Sequence, residues 1–372
     1  MKIITTFLLL GITSIVYSQT IKSLAEERII EFPDIPGYKT LKCDFHQHTV
    51  FSDGSVWPNI RVQEAIRDGL DAISLTDHIE YQPHLSDIPH PDRNRSYQVA
   101  LEAAEGFDLI IVNGSEITRN MPPGHANAIF LKDVNKLNLK DSIEAYRQAK
   151  EQGAFIFWNH PHWIAQEKNG MAKLTETHHM LLKEGLLDGI EVVNNVTYSD
   201  EALQIALTHN LAIMGTSDIH GLVDWQYNVP LGGHRPITLV FAKERSAEGI
   251  KEALNDRRTT VWFNNLIIGR AEFVNPLILS SLEVVKAAYK EKSTVLEVVI
   301  DNQSDAEYLL ENLSGYTFHG NANLIKVSPQ NQTTIHVKTL EIKENVELTF
   351  RVLNAVIAPK TNPDITLNVK VN

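Results

Sequence analysis

Cys43-Asp44-Phe45-His46-Gln47-His48-Thr49 is the stretch on which the reading of this chain turns. Residues 41–45 have the apolar, β-rich character of a strand. Strand residues two apart project to one face, so His46 and His48 aim two imidazoles at a common point. Imidazole is a ligand suited to Zn, Fe, Mn or Ni. Directly downstream, Phe51-Ser52-Asp53-Gly54 reads as a turn that folds a carboxylate back toward the same point. A lone His-x-His also describes two packed or surface histidines, so the question is whether later strands supply partners.

Working outward, short β-rich runs alternate with helical stretches, a pattern of parallel strands joined by crossover helices. The second strand, 71–76, ends at Asp77-His78, and a long polar loop covers 80–95. The third, 108–112, exits at Gly114-Ser115-Glu116, and the fourth, 124–130, opens with His125. The fifth, 154–158, runs into Asn159-His160-Pro161, and a sixth spans 189–194. A seventh from residue 212 ends at Ser217-Asp218-Ile219-His220; strand 237–241 and helix 247–255 close the series. The fold class is therefore α/β. Polar residues gathered at C-terminal strand ends predict a closed β/α (TIM-like) barrel of about seven strands with its site on that rim. An open doubly wound sheet is the alternative, but it binds at one switch point and does not collect groups from nearly every strand.

The surroundings of this domain follow from composition. The chain has 372 residues, 43% hydrophobic and 22% charged, ordinary for a globular protein. A net charge of -12 gives no broad basic surface for a nucleic acid polymer or an anionic membrane. The single cysteine, Cys43, excludes an intrachain disulfide and a thiolate-rich metal site, and reads as a small packed residue. Lys2 precedes an apolar run over 3–16 that is too short to span a bilayer. It ends in Val16-Tyr17-Ser18, spaced like a signal-peptidase site. This predicts a leader over 1–18, export to the periplasm or beyond, and a mature chain starting near Gln19, with no cysteine there for a lipid anchor. The first domain then covers 19–271. After Arg270 the texture changes to alternating strands with Asn/Asp/Gly turns, and 272–372 reads as a small β-sandwich without a convincing helix. It holds no cluster of histidines or acids, so a structural role or contact with a partner or glycan is expected of it.

His46, His48, Asp53, His78, Glu116, His125, His160, Asp218 and His220 are the candidate metal ligands. All but His125, which opens its strand, fall at C-terminal strand ends. A catalytic zinc takes about three protein ligands plus water, so this set implies two or three divalent ions, Zn, Mn or Fe. His84, His90, His178, His179 and His209 stand in loop or helix contexts and read as solvated.

These motifs together resemble the polymerase and histidinol phosphatase (PHP) superfamily: His46-x-His48-Thr49-x-x-Ser52-Asp53-Gly54, Thr76-Asp77-His78, Gly114-x-Glu116, the isolated His125, Asn159-His160-Pro161 and Ser217-Asp218-x-His220. The resemblance covers roughly residues 40–265, with the motif order complete. It implies a distorted seven-stranded β/α barrel and a trinuclear metal-dependent phosphoesterase. By the same resemblance His46, His48 and Asp218 hold one ion, with Glu116 bridging. Asp53, His78 and His220 hold the second, and Glu116, His125 and His160 the third.

The chemistry expected of such a site is hydrolysis of a small phosphomonoester or phosphodiester by a metal-bridged hydroxide, acting through Asp53, His78, Glu116, Asp218 and His220. Asp77 is a candidate to orient a ligand, although an ideal strand points its side chain the other way. For the substrate, Arg119 and Arg235 offer planar forks for phosphate. His162, Trp163 and Asn194 also sit just past strand ends, and Trp163 suits an aromatic leaving group. Two other classes compete. An amidohydrolase-like hydrolase of amides or lactones also opens with His-x-His, but no lysine stands at a strand end to bridge metals. A non-catalytic exported binding protein would use the β domain and keep a relic site.

Overall fold

The computed structural model describes residues 28–371, so the expected leader over 1–18 lies outside the described residues. The first domain follows the order β1 (Lys39–Asp44), α1 (Pro58–Arg67), β2 (Ala72–Leu75), α2 (Arg95–Ala103), β3 (Ile110–Ile117), β4 (Ala126–Ile129), α3 (Ser142–Glu151) and β5 (Phe155–Trp158). It continues through α4 (Glu176–Lys183), β6 (Gly189–Asn194), β7 (Thr197–Tyr198), α5 (Asp200–Thr208), β8 (Ala212–Thr216), α6 (Val223–Gln226), β9 (Ile237–Ala242) and α7 (Ala247–Asn255). Two strands that the sequence did not announce, β10 (Thr259–Phe263) and β11 (Leu266–Gly269), add an antiparallel hairpin beside β9.

These strands share one curled sheet. β1–β2, β2–β3, β5–β6 and β6–β8 pair in parallel, as the alternation requires. β4 runs antiparallel to both β3 and β5, and β9 antiparallel to β1, so the sheet is not a run of identical β/α units. The curl brings β8 and β9 face to face. Thr238 Oγ1 accepts from Gly215 N–H at 2.9 Å and donates to Gly215 C=O at 2.8 Å, where a backbone ladder would otherwise stand. A Cβ at Gly215 would meet Val261 Cγ1 of β10 at 2.2 Å, so glycine here lets β8 lie close against β10 as well. Phe45, Phe155, Phe157, Met214 and Val240 pack into a buried cluster against Ile250 and Leu254 of α7, and Cys43 is buried among them, as expected.

The C-terminal part begins with a helix, α8 (Ala271–Ser281). The sequence reading gave no helix here. Only Val274, Leu277 and Ile278 supply buried apolar positions, and Pro276 interrupts the pattern, so no amphipathic stripe was visible. The strands β12 (Leu282–Tyr289), β13 (Val295–Asn302), β14 (Tyr308–Asn312), β15 (Thr317–Phe318), β16 (Leu324–Val327), β17 (Asn331–Lys338), β18 (Asn345–Val352), β19 (Ala355–Val356) and β20 (Asp364–Lys370) follow. They form two four-stranded sheets, β12-β13-β17-β15 and β16-β14-β18-β20, while β19 leaves the sandwich and adds in parallel to β11. Asn354 Nδ2 donates to Asn265 C=O at 2.9 Å and to Glu307 C=O, stitching the two domains beside that strand. Buried apolar residues of both domains form one continuous cluster through Trp262, Ile267 and Leu277.

Candidate metal centre

The rim at the C-terminal ends of the parallel strands carries the nine residues singled out from the sequence. β1 delivers His46 and His48, and Gln47 makes an isolated bridge with Ile219. Asp218 N–H donates to His46 C=O at 2.8 Å and His48 N–H to Ile219 C=O at 3.0 Å, so the segments after β1 and β8 are zipped together. The turn carrying Asp53 returns on Gly54, whose N–H reaches Thr49 C=O at 3.0 Å; a Cβ there would sit 2.6 Å from the His48 backbone. β3 extends past Glu116, which bridges to His78 at the end of β2. His125 explains itself in this frame: because β4 is antiparallel to its neighbours, its starting end lies on the same rim as their finishing ends. His160 and Asp218 both take left-handed backbone conformations, φ 30° and 48°. Such strain, of order 1–3 kcal/mol each, is characteristic of functional positions.

The side chains converge in overlapping groups. His46 Nε2 and His48 Nε2 are 3.1 Å apart, Asp218 Oδ1 is 3.2 and 3.1 Å from them, and Glu116 Oε2 is 3.6 and 3.5 Å away. Asp53 Oδ1 lies 3.2 Å from His220 Nε2, 3.5 Å from His78 Nε2 and 3.6 Å from His48 Nδ1. Glu116 Oε1 lies 2.8 Å from His125 Nδ1 and 3.5 Å from His160 Nε2. His78 is shared, since its Nδ1 is also 2.8 Å from Glu116 Oε2.

These residues fit a set of bound cations. N and O ligands about 2.0–2.2 Å from one ion stand roughly 3.3 Å from each other in a tetrahedron, the spacing found here. Glu116 Oε2 and Asp53 Oδ1 are buried yet accept no hydrogen bond among the described residues, which cations would remedy. The electrostatics of the cluster reflect the same crowding. Burial alone would depress the imidazole of His46, but Asp218, Glu191 and Glu116 outweigh it and hold it well above its ordinary value. His78, likewise buried, is pushed up to about 10 by Glu116 and Asp53. His48 is driven down to about 4 by burial and by the neighbouring His220 and His78. Glu116, despite burial, is held well below the usual carboxylate range by His78, His125 and His46.

Behind the candidate ligands stands a layer of buried acceptors. Glu191, fully buried on β6, accepts from His46 Nδ1 at 2.7 Å and from Thr216 Oγ1 at 2.5 Å through Oε1. Its Oε2 accepts from His160 N–H at 2.6 Å and Asn194 Nδ2 at 2.9 Å. With Nδ1 engaged, His46 presents Nε2 to the centre. Sequence reasoning passed over Glu191; its signal was a lone acid inside the apolar run Gly189-Ile190-Glu191-Val192-Val193. Asp77 points away from the centre, as an ideal strand requires. It accepts from Thr49 N–H at 2.7 Å and Ser52 Oγ at 2.7 Å, and Ser52 Oγ is 3.3 Å from His48 Nδ1, so it acts at one remove. Asn159 Nδ2 donates to Glu116 Oε1 at 2.9 Å from below.

The expected substrate residues divide. Trp163 and Asn194 line a cavity of about 650 Å³ in front of the centre, with Trp163 half-exposed and Asn194 Nδ2 also 3.2 Å from Asp218 Oδ2. Arg235 is a correction: it is fully buried, pairing with Asp68 at 2.9 Å and Asp44 at 3.3 Å, and does not reach the cavity. Arg119 is likewise engaged elsewhere, 2.7 Å from Glu80 and bonded to Leu139 C=O. His162 is buried against Thr197 Oγ1 at 2.7 Å and does not line the cavity. Two histidines read as solvated are buried instead: His90 packs edge-on to Phe51, and His178 stacks on Trp158.

An α/β domain whose sheet rim gathers histidines and carboxylates in this way defines a candidate metal-binding protein. The comparisons make the family specific. The model of the PHP domain matches residues 44–224, and an Ig-like domain model matches 282–368. A crystal structure from Bacteroides vulgatus ATCC 8482, of a two-domain protein containing a predicted PHP-like metal-dependent phosphoesterase, superposes with a TM-score of 0.85. It is 42% identical, over 92% of this chain and 98% of that one. An uncharacterized protein of Methanocaldococcus jannaschii is 28% identical over 171 residues, 44% of this chain and 67% of its own length. The chain belongs to the PHP family of metal-dependent phosphoesterases.

Proposed function

We propose that this protein is an exported hydrolase of a phosphomonoester or phosphodiester whose site holds three divalent cations. The observation that carries this reading is the division of Glu116. One of its oxygens faces His46, His48 and His78, and the other faces His125 and His160. A single buried carboxylate thus adjoins every ligand group, as a bridging residue must. Asp53 with His78 and His220 supplies the group nearest the solvent-accessible side, and Asp218 completes the group of His46 and His48. Zn, Mn or Fe suits these donors. Such cations, when bound, acidify water to near neutrality and neutralise charge on phosphoryl oxygens.

The chain's own residues do the positioning. Glu191 fixes His46, Asn194 holds the second oxygen of Asp218, and Trp163 forms a flat apolar wall beside His125 and His160. We read the curled sheet as a distorted relative of the seven-stranded β/α barrel, with the domain spanning 19–271 and the sandwich 272–372. Export rests on the leader-like residues 1–18, and among the described residues no helix is long and apolar enough to cross a membrane.

The test is one plate: metal-loaded protein against bis(p-nitrophenyl) phosphate, p-nitrophenyl phosphate and a panel of amides and lactones. Turnover of a phosphoester that is lost on chelation and restored by Zn, Mn or Fe is expected. Turnover confined to amides or lactones would move the protein to the amidohydrolase class, and none at all would leave a binding protein.

A further inference from the structure

The cavity of about 650 Å³ in front of the metal centre adjoins a second of about 500 Å³ between the two domains, and Val196 and Gln226 line both. The two form one cleft with the candidate ligands at its near end and the sandwich domain at its far end. The far wall is fixed from two sides. Glu307 N–H donates to Asn265 Oδ1 at 2.8 Å, and Asp305 N–H donates to Glu31 C=O at 3.0 Å. Among the described residues no lysine or arginine lines either cavity, while Asp305 and Glu307 line the far one.

At the junction two amides hold each other. Gln226 Nε2, at the end of α6, donates to Asn195 Oδ1 at 2.9 Å. Asn195 stands in the turn between β6 and β7 with φ 53°, a left-handed conformation that asparagine tolerates. That bond holds the two side chains together and leaves the Gln226 carbonyl as an acceptor and the Asn195 amino group as a donor, neither bonded to another described residue. A hydroxyl group donates and accepts at once, so it matches this pair. The cations at the edge of the far cavity are already engaged, Lys326 with Glu307 and Arg28 with Gly233 C=O. Among the described residues a second anionic group on the substrate would therefore find no uncommitted cationic partner along the cleft and would lose its solvation without compensation.

We propose that the cleft selects a single phosphoester on a neutral, hydroxyl-rich body, a polyol or sugar, with Gln226 and Asn195 as specificity-determining residues and the sandwich domain as the far wall. This rests on the phosphoesterase reading given above. The test uses the metal-loaded full chain with glucose 6-phosphate, glucose 1,6-bisphosphate and p-nitrophenyl phosphate. The monophosphate should be hydrolysed with a kcat/KM at least tenfold above that of the bisphosphate. Gln226→Leu should lower the ratio of kcat/KM for glucose 6-phosphate to that for p-nitrophenyl phosphate about tenfold, chiefly through KM. Preference for the bisphosphate, or an unchanged ratio in the variant, overturns the proposal. If neither p-nitrophenyl phosphate nor either glucose phosphate is hydrolysed, it is the phosphoesterase reading that fails. Calorimetric titration of glucose into the same protein then decides the cleft: binding weakened about tenfold by Gln226→Leu supports the proposal, and no binding overturns it.

Discussion

Glu191 Oε1 lies 2.7 Å from Nδ1 of His46, a residue 145 positions earlier, and both side chains are fully buried. The contact sets which imidazole nitrogen faces the centre, and the same carboxylate anchors the backbone of His160 and the amide of Asn194. Loss of such a supporting acceptor typically costs 10–100-fold in metal affinity. Glu191→Ala should therefore lower metal occupancy at limiting metal by about that factor, measured by elemental analysis against a competing chelator. Glu191→Gln retains an acceptor oxygen and should lose less. Equal occupancy in wild type and Glu191→Ala would show that His46 is oriented by other means.

Glu116 is the residue whose loss should be felt by every cation. Glu116→Ala or His46→Ala should abolish both metal content and phosphoester turnover. His160→Ala touches only one of the facing groups and should leave part of the metal bound. Chelation should also lower the Tm, since a ligand at 100 times its Kd stabilises the folded state by about 2.7 kcal/mol per site. Retained activity in Glu116→Ala would remove the bridging role.

Much of this was legible in the chain because the relevant signals are local. His46 and His48, or Asp218 and His220, declare themselves by spacing, and the β/α alternation by its apolar runs. What was not legible depends on partners far away in sequence. The guanidinium of Arg235 looked free for phosphate, yet its carboxylates, Asp68 and Asp44, come from positions 167 and 191 residues earlier. Arg119 was claimed by Glu80 in the same way. His125 stood at the wrong end of its strand until the antiparallel pairing of β4 was known. The hairpin of β10 and β11 followed what looked like the last helix, with no polar rim residue to mark it.

Arg235 gives a prediction that separates its two readings. Removing one partner of a buried ion pair leaves uncompensated charge and costs about 3–5 kcal/mol. Arg235→Met strands the carboxylates of Asp44 and Asp68, so chemical denaturation should show a loss of that order. Asp44 also accepts from Ser217 Oγ at 2.6 Å, one residue before Asp218, so metal affinity should weaken modestly as well. A substrate role would look different: KM for a phosphoester would rise with stability unchanged.

His178 ties acid stability to a group outside the metal centre. Its Nε2 donates to Pro123 C=O at 2.8 Å, so Nδ1 is the acceptor for Thr175 N–H at 3.2 Å at the start of α4. Protonating Nδ1 breaks that cap inside a buried site stacked on Trp158. Burial accordingly pushes the imidazole down to about 4, against an unfolded value near 6.5. Between those values the unfolded chain binds a proton that the folded chain does not, so stability falls as pH drops from about 6.5 toward 4 and levels off below. At ~1.4 kcal/mol per pH unit, the full loss is about 3 kcal/mol. Metal release also destabilises the protein in acid, so the measurement is made in chelator, on wild type and His178→Gln together. His178→Gln is less stable than wild type at pH 7, because the stacked ring and its paired hydrogen bonds are lost. The gap between the two should close by about 3 kcal/mol as the pH is lowered to 4, and a gap independent of pH would show that His178 is not held neutral.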